Sequence, residues 1–460
     1  MFFVAQKQKL VYSLLMQTKS KAKIVLIGLD GVSFGLIDDL AKRGAMPNFQ
    51  ALKSQSFFSK MQAPLPAVSS VSWSSIITGK NPGEHGIYGF MDLADRSYDL
   101  LFPNFNDLRA PAFWQKYPKL KHVVLNMPST YPAKPLNGVH IAGFVSPDFE
   151  GAVFPANYLA KLREMKYEVD VDSELAHRDI DLFLENLFKV NQARVNAYRY
   201  FWREIDWDVF WLVFTGTDRL GHFLMPALLN PNHQYHEKCI LYFQEIDRII
   251  GEIANQLDGK DQLLIFSDHG MTETICNVNV NYFLAENGFL QTDKQQGEFY
   301  NLSEAKISSF AYNQITNQTK AFALEPGRIY LNKKGKYPRG SVGGAETEQI
   351  IEQLTAAFLG IEFQGKKVID KVYKKQEIYS GKEMNKAPDL VLAEKDGFRL
   401  RAGLNKKELF DKDIFQGTHT ANDAFLLVKS SQAANFSLPN PKAEDIIQIM
   451  TNPAICPKLS

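Results

Sequence analysis

The 460-residue chain carries 52 Lys and Arg against 51 Asp and Glu, a net charge of +1. No global field draws it to a nucleic-acid polymer or an anionic membrane, so an anionic ligand must be met by a local site. Hydrophobic residues make up 45% and charged residues 22%, enough to bury a core in one large α/β domain with an inserted subdomain, or in two domains.

Cys239, Cys276 and Cys456 lie far apart without a CxxC pair, so neither a disulfide framework nor a thiolate zinc cluster is expected, and buried free thiols are. From Met1 to Lys23 two short apolar patches are broken by Gln6-Lys7-Gln8-Lys9. There is no charged region ahead of a continuous apolar one and no small-residue cleavage site, so 1–22 reads as a short extension and the chain is expected in the cytoplasm. No apolar run approaches the roughly 20 residues that span a bilayer.

Lys23 to Leu29 (KIVLIGL) is a nearly continuous apolar run ending in Asp30-Gly31, the pattern of a strand buried on both faces. Phe34, Ile37 and Leu40 then follow at helical spacing, and Pro47 opens a second helix through Phe49 and Leu52. Ala63 to Phe90 is crowded with hydroxyls (Ser69, Ser70, Ser72, Ser74, Ser75) and reads as a loop feeding a helix. A hydroxyl at that helix N-terminus would sit among free backbone N–H groups, a setting suited to attack on an anionic centre.

The strand-then-helix order repeats. His122 to Asn126 predicts a strand. Val209 to Phe214 predicts another, ending at Thr215-Gly216-Thr217-Asp218, and Tyr235 to Leu257 has helical spacing. Gln262 to Phe266 predicts a strand that ends in Ser267-Asp268-His269-Gly270-Met271. The alternation predicts a doubly wound, mostly parallel sheet flanked by helices, with a core over 23–286.

Over 287–409 the texture turns richer in Lys, Gln, Gly and Asn, with short strands at Arg328–Leu331 and Leu390–Leu392 and a helix near Glu348 to Leu359. This predicts an inserted α+β cap subdomain. The segment 410–460 then completes the core: Gly417-Thr418-His419-Thr420 returns to the sheet, Ala424 to Val428 is a strand, and Lys442 to Met450 a final helix.

Asp30, Asp218 and Asp268 each stand at, or a few residues beyond, the C-terminal end of a predicted strand, where open α/β sheets form their ligand crevice. Asp218 and His222 are spaced i, i+4 and share a helical face; Asp268 and His269 are adjacent where a strand gives way to a loop. With Ser69 and His419 they make a mixed carboxylate and imidazole set suited to divalent zinc, with iron or manganese as competitors. Two such ions could clamp the attacking and leaving oxygens of a displacement at phosphorus.

The other histidines read as structural. His85 stands in a turn, His233 and His236 follow Pro231 as exposed first-turn residues, and His122, His140 and His177 have no partner pattern. Ile77-Thr78-Gly79-Lys80 lacks the glycine spacing and the Ser or Thr of a phosphate loop. No GxSxG elbow occurs, and Pro and Arg do not follow Ser69 as a sulfatase nucleophile requires.

The stretches LIGLDGVSFGLIDDLAKRGAMPNFQAL, SSVSWSSIITGKNPGEHGIYGF, TGTDRLGHF, SDHGM and GTHT, in that order, resemble the alkaline phosphatase superfamily, most closely its type I phosphodiesterase/nucleotide pyrophosphatase branch. The resemblance covers Lys23 to Phe90, Asp208 to Met271 and a patch at His419. It implies one metal ion on Asp30, Ser69, Asp268 and His269 and a second on Asp218, His222 and His419. It also implies Ser69 as the nucleophile of a covalent phospho-seryl intermediate in phosphodiester or pyrophosphate hydrolysis of a small molecule.

Ser70 leaves a one-residue alternative for that role. Members acting on nucleotides carry an Asn shortly after the His-Gly-Ile turn; here the place holds Phe90, which cannot donate a hydrogen bond to a phosphate oxygen. The residues that bind substrate are therefore not assigned. A phosphomonoesterase or phosphotransferase on the same scaffold is the alternative activity, and a non-catalytic binding protein that kept the fold a third reading. The insert lies after Asp268-His269, which argues against a mutase.

Overall fold

The structure, a computed structural model, describes residues 22–293, 312–430 and 437–452. The expectations for 1–21, for Cys456 and for the insert's 294–311 fall outside the described residues. An eight-stranded sheet forms the centre: β1 (Ile24–Leu29), β2 (Phe57–Met61), β3 (His122–Met127), β4 (Gly138–Ala142), β5 (Val153–Phe154), β6 (Val209–Phe214), β7 (Gln262–Phe266) and β8 (Ala424–Lys429), in the spatial order β2-β8-β7-β1-β6-β3-β4-β5. β7, β1, β6, β3 and β4 run parallel side by side. β8 is antiparallel to β7 and β2, and β5 is antiparallel to β4.

The apolar run of β1 is explained by helices on both faces. Val25, Ile27 and Leu29 face one core, with the helices Phe34–Lys42, Ile180–Glu204 and His236–Ala254. Ile24 and Leu26 face the other, with the helices Ser69–Thr78 and Asp445–Thr451. A strand in that position has no solvated side on which a polar residue could stand. The first polar residue is Asp30, where the strand ends.

Because β7, β1 and β6 are parallel neighbours, their C-terminal ends lie together. Asp268, Asp30 and Asp218 follow those three ends, so strand order alone gathers three carboxylates on one sheet edge.

Two elements depart from expectation. Gly417–Thr420 does not return to the central sheet. It pairs antiparallel with Gly270–Glu273 as a separate ribbon, with Met271 opposite His419. The chain leaving β7 turns at Ser267 to Gly270, and this ribbon folds back over the strand ends. His236 is partly buried rather than exposed, with its Nδ1 2.7 Å from the Ala227 carbonyl, and His233 is also partly buried. Cys239 and Cys276 are buried free thiols, pushed by burial up to about 12 and about 11.

A further hydrophobic cluster joins residues from Cys276 to Ala402, with Tyr98 reaching in from the core side. It backs a four-stranded antiparallel sheet of Ala321–Leu324, Arg328–Leu331, Leu390–Glu394 and Ile369–Lys374 and the helix Thr347–Leu359. This unit is tied to the core by Arg328, which is fully buried. Its guanidinium donates to the Met91 carbonyl (2.7 Å), to the Glu325 carbonyl (2.6 Å) and to the Tyr330 hydroxyl (3.2 Å), with Asp92 at 3.9 Å.

Replacing Arg328 with Met keeps the apolar stem and strips those donors, stranding the Met91 carbonyl and Asp92 in a dry interface. The expected loss is about 3 kcal/mol of unfolding free energy, read by urea denaturation. A loss within about 0.5 kcal/mol of zero, the range of an ordinary surface change, would contradict it.

Candidate active site

Ser69 opens the helix Ser69–Thr78, whose ten residues are all buried. The helix is pinned to the sheet by Trp73. The indole lies over Gly28, where a Cβ would come within 2.3 Å of the ring, and its Nε1–H donates to Asp30 Oδ2 at 3.0 Å. A side chain at 28 would therefore displace both the helix and Asp30. Seated this way, Ser69 Oγ–H donates to Asp30 Oδ1 at 3.3 Å and lies 3.1 Å from His269 Nε2. As an initial residue of the helix, Ser69 has a backbone N–H with no intrahelical acceptor, and so does Ser70.

The three histidines share one arrangement. His269 Nδ1–H donates to the Gly270 carbonyl, His222 Nδ1–H to the Gly417 carbonyl and His419 Nδ1–H to the Ala67 carbonyl, each at 3.0 Å. A carbonyl oxygen only accepts, so each ring carries its proton on Nδ1 and turns a bare Nε2 inward.

Those Nε2 atoms face one another and the carboxylates. His222 and His419 Nε2 are 3.0 Å apart, and both stand beside Asp218 Oδ1, at 3.4 and 3.3 Å. His269 Nε2 is 3.3 Å from Asp268 Oδ2 and 3.7 Å from Asp30 Oδ1. Asp218 Oδ1 and Asp268 Oδ2 are buried without a hydrogen-bond donor. Lone pairs thus meet lone pairs, an arrangement costly in a dry centre unless a cation sits among them. Donor type fits a divalent transition ion, with each imidazole oriented through its other nitrogen.

One atom from each of Asp30, Asp268 and His269 falls within 4.8 Å of the others, and the same holds for Asp218, His269 and His419. His222 joins the second group through its contacts with Asp218 and His419. All seven residues expected at the site converge there. His85 is elsewhere: it is buried on Ser75 Oγ, at 3.0 Å, and burial lowers its imidazole to about 3.

The electrostatics follow from crowding. Burial, with Asp268 and Asp218 alongside, pushes the Asp30 carboxyl well above the usual range. Burial pushes Asp268 up to about 7. Burial also opposes ionisation of Asp218, yet its carboxyl is held well below the usual range, because His222 and His419 gain positive charge beside it as the pH falls and Arg219 stands next to it. Burial lowers all three imidazoles, His222 to about 3, in keeping with neutral rings.

Gly31, φ +67, makes the turn after β1, and its N–H donates to Asp268 Oδ1 at 3.1 Å. A Cβ there would meet Asp218 Oδ1 at 2.8 Å. Gly31→Ala is expected to cost about 1–2 kcal/mol in backbone strain and, by displacing Asp218, about 10- to 100-fold in turnover. Steady-state rates near wild type would show that Asp218 can shift without consequence.

Sequence reasoning missed the supporting groups. Thr217 Oγ1–H donates to the Asp30 carbonyl at 2.6 Å, and Arg219 pairs with both Asp218 and Asp170. Arg219 was signalled by adjacency to Asp218. Asp170, far off in sequence, carries no signal.

Two cavities open onto this edge, about 320 and about 210 Å³, and share Ala67, Pro326, Glu394 and His419. The larger runs beneath the 287–409 segment past Tyr373 and Glu377; the smaller is walled by Phe90, Met91, His222 and Arg399. Phe90 leans on Phe144, ring centroids 5.9 Å apart.

A mostly parallel sheet flanked by helices in this order is an alkaline-phosphatase-like fold. The family model for type I phosphodiesterase / nucleotide pyrophosphatase matches residues 24–422, and the chain belongs to that family of phosphoester-cleaving enzymes.

Among solved structures, phosphonoacetate hydrolase from Sinorhizobium meliloti 1021 in complex with phosphonoformate is similar with a TM-score of 0.63 and 17% identity, over 93% of this chain and 94% of that one. Murine ectonucleotide pyrophosphatase / phosphodiesterase 5, as an inactive variant in complex with AMP, gives a TM-score of 0.54 and 13% identity, over 94% and 95% of the two chains. The human form of that protein gives 0.53 and 13%, over 94% of each. No curated protein sequence matches this chain. Among the described residues no helix is long and apolar enough to cross a membrane.

Proposed function

We propose that this protein hydrolyses a small-molecule phosphodiester or pyrophosphate through a covalent intermediate on Ser69. The observation that carries the reading is the inward-turned set of Nε2 atoms beside the unpartnered oxygens of Asp218 and Asp268. Asp30, Asp268 and His269, with Ser69, would hold one divalent ion and Asp218, His222 and His419 a second; zinc suits these donors, with manganese and iron as competitors. Bound there, the ions would lower the pKa of the serine hydroxyl and of water and withdraw charge from the leaving oxygen.

The chain's own part is orientation and proton handling. Ser69 Oγ–H, held by Asp30 Oδ1, passes its proton to solvent water and Oγ bonds to phosphorus, while the bond from phosphorus to the leaving oxygen breaks and that oxygen takes up a proton from solvent water. Water then attacks phosphorus, the bond to Oγ breaks, and the serine regains its proton. The free N–H groups of Ser69 and Ser70 point the helix dipole at the phosphoryl oxygens. Ser70 Oγ is buried with no hydrogen-bond partner, which supports Ser69 over Ser70 as nucleophile.

The segment 287–409 is the proposed cap over the 23–286 core, completed by 410–460; Pro326, Tyr373 and Glu377 from it line the larger cavity beside His419. Phe90 offers that cleft an apolar surface and no donor, which supports a substrate other than a nucleotide. Rates on an aryl phosphodiester and the matching monoester, with zinc present, test the reading: faster diester cleavage is expected. A folded, zinc-loaded protein inert to both would overturn it, and faster monoester cleavage would make it a monoesterase.

A further inference from the structure

We propose that Arg219, clamped by Asp170, is a positioning residue that locks Asp218 with one oxygen turned into the centre and the other held outside it. The inference rests on the reading of Asp218 as a metal ligand. The two Asp218 oxygens have unlike surroundings: Oδ2 accepts from Arg219 Nη1 at 2.8 Å, whereas Oδ1 faces the Nε2 atoms of His222 and His419 and receives no donor.

Arg219 is itself immobilised. Its Nε lies 3.2 and 3.3 Å from the Asp170 oxygens, its Nη2 donates to Asp170 Oδ2 at 2.7 Å, and the guanidinium carbon sits 4.5 Å from the Phe144 ring centroid. Side-chain exposure is 16% for Arg219, 21% for Asp170 and 2% for Asp218, so water does little to compete for these bonds. The fork is spent on two carboxylates and reaches no reacting atom, which makes it a positioning group. It also sets one positive charge against the buried Asp218 and Asp30 carboxyls.

A lysine could not reproduce this. Its ammonium is a single point that cannot bridge Asp170 and Asp218 in one plane or lie flat on Phe144. An ordinary buried ion pair, present only to fasten the 167–172 segment to the helix Gly216–Leu229, would weaken the whole fold evenly when broken. A positioning pair acts on one side of the centre.

The test is zinc titration of wild type, Arg219→Met, Arg219→Lys and Asp170→Asn in competition with a chromophoric chelator, resolving each bound ion. The expected result is two ions in wild type. In Arg219→Met one ion weakens about 10- to 100-fold, the magnitude typical of losing a group that orients a ligand, and the other stays within about twofold. Arg219→Lys and Asp170→Asn should show smaller losses of the same ion, so the answer stands even if Arg219→Met fails to fold. Two ions in wild type with both weakened alike, or neither, in the variants would overturn the positioning role alone. A folded wild type that takes up no zinc would overturn the metal reading and this inference with it.

Discussion

Replacing Ser69 with alanine is expected to abolish turnover while the protein keeps its fold and still binds metal through Asp30, Asp268 and His269. Oγ is one oxygen at the start of a fully buried helix, and its removal leaves Trp73 on Gly28 and the Asp30 contact in place. The loss is expected on the chemical step, because Ser69 is the proposed nucleophile. Nucleophile deletions of this kind cost on the order of 10³-fold or more in kcat.

The neighbouring variant, Ser70→Ala, removes a hydroxyl that has no partner, and its rate is expected to stay within about threefold of wild type, a barrier change of under 1 kcal/mol. The pair is read from steady-state rates on an aryl phosphodiester, with zinc content measured on the same samples. If Ser69→Ala kept near-normal rates and Ser70→Ala lost them, the nucleophile would move by one residue.

Stripping divalent metal is expected to have the second large effect. Without a cation, the buried centre holds three carboxylates and three imidazole nitrogens that oppose one another's lone pairs. An ion that binds only the folded chain stabilises it by about 2.7 kcal/mol when present at 100 times its dissociation constant. Chelation should therefore lower the melting temperature by several degrees per ion, abolish phosphodiester hydrolysis, and be reversed by added zinc. A melting curve and a rate both indifferent to chelator would mean that the cluster is satisfied by protons alone.

The edge that carries this chemistry was legible because burial on both faces makes β1, β6 and β7 read as apolar runs. The aspartates that end each run stand out against that background. The i, i+4 pair Asp218 and His222 was legible for the same reason, since the helix Gly216–Leu229 begins directly at the strand end. Ser69 was recoverable among five serines only through its spacing and the motif order.

Other features were not legible. The 25-residue helix Ile180–Glu204 buries Phe183, Leu187 and Val190 at regular spacing, but its charged face dilutes the apolar signal. The short edge strand β2 and the two-residue β5 offer too few alternating positions to be distinguished from loop. The ribbon that carries His419 is fixed by its pairing with Gly270–Glu273, a contact that no local pattern announces. The carbonyls of Ala67, Gly270 and Gly417 that set the imidazole tautomers are backbone groups, and the clamp from Asp170 to Arg219 spans distant segments; side-chain identity reveals neither.

The central claim is that Ser69 becomes covalently bonded to phosphorus, and the most direct measurement is mass spectrometry of zinc-loaded enzyme acid-quenched during turnover of an aryl phosphodiester. A phosphoryl-ester adduct is expected on the peptide that contains Ser69, assigned to that residue by fragmentation and absent in Ser69→Ala. Turnover that proceeds with an adduct on Ser70, or with none under conditions where the second step is slowed, would contradict it.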